Sequence, residues 1–90
     1  MKRLELLCPL AEKNYWIDWL LSHHQGTFEV MPVERYGLPN SLLNRKESVQ
    51  GFAQWVMLTV VSEKIVCDQL MALLGAESYD RMEVRVFALT

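Results

Sequence analysis

Residues 49–61, VQGFAQWVMLTVV, restrict the possible folds more than any other stretch. Alternation puts Val56, Leu58 and Val60 on one side of a strand and Trp55, Met57 and Thr59 on the other. Both sides are apolar. A sheet with helices on one side leaves its other side wet, and that side normally alternates polar. An apolar second side therefore needs a cover.

The rest of the chain supplies the partners of this strand. Residues 3–8 (RLELLC) are a short apolar strand ended by Pro9. In LAEKNYWIDWLLSHH, the residues Trp16, Ile17, Leu20, Leu21 and His24 recur on one helical face. His23 and His24 suit the negative end of that helix, and Gly26 stops it. TFEVMPVERYG reads as a strand with Phe28, Val30 and Val33, and its Pro32 assigns it to an edge or a bulge. LPNSLLNRKES, with Pro39, Asn40, Ser41 and Asn44, reads as a loop carrying two exposed leucines, Leu42 and Leu43. After the long strand, Ser62 is a candidate N-cap for EKIVCDQLMALL, whose Val66, Leu70, Leu73 and Leu74 share a face, and Gly75 follows it. A turn over 77–80 leads to MEVRVFALT, which alternates as a last strand.

Strand, helix, strand, strand, helix, strand is the split βαβ order of the ferredoxin-like sandwich. The expectation is an α+β domain over residues 1–90, a four-stranded antiparallel sheet with two helices on one face. Those helices cover one side only. Trp55, Met57 and Thr59 are accordingly expected at an interface between subunits.

Ninety residues suffice for one core and not for two. A net charge of -2 with no basic stripe argues against a nucleic-acid partner. No apolar run approaches the roughly 20 residues of a membrane span, and MKRLELLCPLAEK is not a signal peptide because Glu5 and Pro9 break its apolar run. A cytoplasmic location is expected.

No GxxxxGK[ST], GxGxxG, HExxH or CxxC occurs. The glycines are scattered, and no nucleophile stands beside a base, so no enzyme and no cofactor are expected. Cys8 and Cys67 read as small buried hydrophobes. His23 and His24 are the best metal candidates, with Cys8, Cys67 or methionines joining them between subunits. Against this, neighbouring helical residues point about 100° apart, and helix-end histidines also serve the dipole.

WLLSHHQGTFEVMPVERYG, followed by ESVQGFAQWVMLTVV, resembles the PII-like superfamily of trimeric signalling proteins. The closer similarity is to the bacterial domain of unknown function 3240 family, carried by "WLL", Phe28, Pro32-Val33-Glu34 and Gly37, then Glu47, Val49, Gly51 and Ala53. The related CutA proteins share the trimeric design. The resemblance implies a homotrimer with sheets facing its centre, a regulatory or sensing role, and an association with heavy-metal efflux. It also implies effector clefts between subunits near residues 34–48, with Arg35, Tyr36, Asn44, Arg45 and Lys46 as polar contacts. Leu42 and Leu43 would then grip a protein partner such as a membrane transporter. The stretch AESYDRMEVRV departs from ATP-binding PII proteins: it lacks their glycine and lysine and keeps only Arg81 and Arg85.

Overall fold

A computed structural model describes residues 1–39, 42–77, 79 and 81–89. Asn40 and Ser41 of the segment read as a loop, Ser78 and Asp80 of the stretch read as a turn, and Thr90 lie outside them.

The expected order is present, with a short helix and a 3-10 turn added. The strands are β1 (Lys2–Pro9), β2 (Glu29–Tyr36), β3 (Phe52–Ser62) and β4 (Glu83–Ala88). The helices are α1 (Lys13–His23), α2 (Arg45–Gln50) and α3 (Lys64–Leu74), and a 3-10 turn over Leu10–Glu12 leads into α1. The sheet runs β2-β3-β1-β4 and each neighbouring pair is antiparallel. This is the ferredoxin-like sandwich. Pro32 sits on β2, an edge strand, the position in a sheet where proline is tolerated.

The core lies between the sheet and helices α1 and α3. Leu4, Leu6 and Cys8 of β1 and Val56, Leu58 and Val60 of β3 meet Trp16, Trp19 and Leu20 of α1 and Cys67, Leu70 and Leu74 of α3. Two helical faces are rotated from the sequence reading. Trp19 is buried while Leu21 is 65% exposed, because the larger indole takes the core side and its Nε1–H donates to Glu77 at 2.9 Å. Likewise Cys67 is buried and Leu73 exposed. Ser62 is the last residue of β3, and Glu63 is the N-cap of α3.

Part of the segment read as a loop is helix. The Asn44 side chain accepts from the Glu47 N–H at 2.8 Å, and the Glu47 carboxylate accepts from the Asn44 N–H at 3.0 Å. This reciprocal capping box starts α2. Gly51 ends it at φ 80, a left-handed conformation that glycine adopts without strain.

The open side of the sheet corrects the expectation of a cover that only another subunit could supply. Leu7, Ala53 and Trp55 form a second small core there, against which Val33, Leu38, Leu43 and Met57 pack. Trp55 is only 5% exposed, so its cover comes largely from its own chain. Met57 and Thr59 are half-buried. The apolar character is a property of β3 more than of the whole face. Register places Arg3 and Glu5 of β1, Arg85 of β4 and Glu29 of β2 on the same side.

Candidate functional site

The ends of β1 and β3 near Pro9 and Gln54 meet α2 and the start of β4, and several clefts converge there on Arg81. One of about 320 Å³ is lined by Pro9, Leu10, Asn44, Lys46, Gln54 and Arg81, among others. A second, of about 220 Å³, lies between Arg35, Leu42, Trp55, Arg81 and Glu83. A third joins Leu42, Leu43 and Asn44 to the same arginine.

Local folding sets the charge of this region. Glu47 lines the larger cleft, but one of its oxygens accepts from Asn44 N–H and the other from Gln54 N–H at 3.3 Å. Its carboxylate is thereby committed to the backbone. Lys46 and Arg81 are the cations of that cleft, and Gln50 and Gln54 add neutral donors. Arg81 is steadied by donating from Nη2 to the Leu42 carbonyl at 3.0 Å, and its guanidinium stands 5.7 Å from the Trp55 ring centroid. The arrangement suits a small anion: a carboxylate, a bicarbonate or a phosphate.

The expected contact residues divide. Asn44 and Lys46 line the larger cleft, although the Asn44 side-chain oxygen is already engaged in the cap. Arg35 reaches across the face instead: its guanidinium lies 4.5 Å from the Trp55 centroid and pairs with Glu83 at 3.2 Å. It shares the smaller cleft with Arg81. Tyr36 is 66% exposed, stacks at 5.3 Å on Phe52 and donates to Glu34, which pushes its phenol upward. Arg45 is exposed and lines none of the three clefts. Leu42 is exposed and Leu43 packs against the Trp55 cluster, while both line the third cleft.

Arg81, the residue common to the clefts, is absent from the expected contact set. Its signal was its place as the lone basic residue between α3 and β4.

The metal reading needs a correction. Cys8 is fully buried in the main core, and burial, with Glu12 nearby, pushes its thiol up to about 11. It pairs with Val56, whereas His23 and His24 share a cleft with Ser62, the partner of Lys2 at the other end of β1. At strand rise that separates them by about 20 Å. Cys67 is also buried in the core. Among the described residues no group of three or more His, Cys, Asp or Glu is arranged to hold a metal.

No protein-family model matches the chain, and no curated protein matches it. Similarity to solved structures is clear. One is CPII, a nitrogen regulatory PII-like protein from Thiomonas intermedia K12, bound to ADP, AMP and bicarbonate, at 16% identity over 96% of this chain and 86% of that one, with TM-score 0.60. Another is a protein of Thermus thermophilus assigned to PII-like signalling, at 13% identity over 96% and 81%, with TM-score 0.62. At this identity the likeness is one of fold, and the fold is that of PII-like signalling proteins. Among the described residues no helix is long and apolar enough to cross a membrane.

Proposed function

We propose that this chain is a PII-like regulatory protein that binds a small anionic effector in the clefts around Arg81. The observation that carries the reading is the convergence of three clefts on that one guanidinium, with Lys46 beside it and the nearby Glu47 carboxylate spent on backbone amides. The likeness in fold to a protein bound to ADP, AMP and bicarbonate supports the choice of ligand class. Beyond Gly75 the α3–β4 connection has no glycine and no lysine to cradle a triphosphate, so AMP, ADP and bicarbonate are favoured over ATP.

In this reading the protein regulates and does not catalyse, acts in the cytoplasm, and belongs with the domain of unknown function 3240 proteins on the residues quoted above. It assembles as a homotrimer through the part of the open sheet face that its own chain leaves uncovered. Met31, Val61 and Phe87 are 45%, 49% and 40% exposed there, and Glu5 is held near Arg3. A membrane transporter of a metal-efflux system is the proposed partner.

Calorimetric titration of the purified chain with AMP, ADP, bicarbonate and inorganic phosphate tests the effector claim. At least one should bind, and Arg81→Ala should weaken it about 10- to 100-fold, as expected for losing a charge-assisted hydrogen bond. Absence of binding across the panel, or affinity unchanged in Arg81→Ala, would overturn it.

A further inference from the structure

We propose a second site, at the opposite end of the sheet, in which His23 and His24 together hold a divalent transition-metal ion. Two neighbours within one helix could not do this, since their side chains diverge by about 100°. Here the helix ends between them. His23 is the last residue of α1, while His24 has left it, at φ -126 and ψ 124, with its N–H still bonded to the Leu20 carbonyl at 2.8 Å. The His24 ring folds over Gly26, where an added Cβ would stand 2.8 Å from Nε2. Both imidazoles thereby line one cleft of about 380 Å³, with Ser62 and Gln69 beside them.

The second observation is the state of the ring nitrogens. His23 Nδ1 lies 2.7 Å from the Trp19 carbonyl, which can only accept. In the neutral ring this contact assigns the proton to Nδ1 and leaves Nε2 free to ligate. His24 Nε2 lies 3.3 Å from the Thr27 carbonyl, an arrangement that in the neutral ring leaves Nδ1 free to ligate. Donation of one ring N–H to a backbone carbonyl is how metal-binding histidines are oriented. The Trp19 ring, 4.5 Å from that of His23, restricts it further.

The donor set selects the metal class. Two neutral imidazoles favour Cu(II), Ni(II) and Zn(II) over Mg(II) or Ca(II). Among the described residues no third His, Cys, Asp or Glu joins them. Water and the oxygens of Gln69 and Ser62 complete the coordination, which makes the site exchangeable. It does not depend on the effector cleft.

Calorimetric titration of the tag-free full chain with Cu(II), Ni(II), Zn(II) and Mg(II) tests the site, with electron paramagnetic resonance on the copper form. One transition-metal ion per chain is expected, with two nitrogens coupled to copper and no uptake of Mg(II). His23→Ala and His24→Ala should each weaken binding about tenfold or more, and the double variant should abolish it. His24→Gln, which leaves the His23–Trp19 bond in place, serves if the alanine variants lose their helical circular dichroism. Unchanged affinity in His24→Gln or in the folded double variant, or a single nitrogen per copper, would overturn the proposal. Retained phosphate or ADP binding in these variants separates this outcome from that of the Arg81 reading.

Discussion

At the scale of single residues, Cys8 and Cys67 are free thiols buried in the core. Neither should react with a thiol reagent at pH 8 until denaturant is added, when both should titrate. The Cys8 thiol is displaced from its ordinary value of 9.0 to about 11, chiefly because burial disfavours the thiolate. The folded state thus prefers the protonated form. Its stabilising contribution is complete below about pH 9 and is lost as pH rises toward 11, so Cys8→Ala should flatten the alkaline limb of a urea-midpoint profile. The place of Arg81 in AESYDRMEVRV does not show that three clefts meet on it, because the clefts are made by residues distant in sequence: Pro9, Leu42, Asn44 and Gln54.

At the scale of elements, strands were legible wherever alternation was long, as in β3 and β4. The short α2 was hidden by its neighbours, since Pro39, Asn40, Ser41 and Asn44 are all turn formers. Its signal was nevertheless present as Asn44 followed three residues later by Glu47. Removing the cap with Asn44→Ala should cost about 1 kcal/mol of unfolding free energy. Gly51→Ala, forced to keep φ 80, should cost about as much. Urea denaturation measures both. A loss near zero for Asn44→Ala would mean that α2 draws its stability from elsewhere. The rotation of α1 toward Trp19 was not legible, because periodicity cannot weigh Trp19 against Leu21 without the Glu77 acceptor that fixes the indole.

At the scale of the whole molecule, the order of elements led to the fold, while the cover of the open face was misread. Alternation along β3 located an apolar second side, but it could not reveal that Leu38, Leu43 and Arg35 fold back over Trp55. What remains for an assembly is the other end of that face, around Met31, Val61 and Phe87. Light scattering should return three times the 10.5 kDa protomer mass. Met31→Asp with Val61→Asp should reduce that to one protomer, because a charge pair would be buried without partners. A monomeric mass for the unaltered chain would remove the trimer from the account. The central claim, an anion held at Arg81, is tested most directly by the amide NMR spectrum of the isotope-labelled protein titrated with ADP. The account predicts saturable shifts at Lys46, Gln54 and Arg81, with His23 and His24 unmoved. Shifts confined to the histidine end, or none at all, would contradict it.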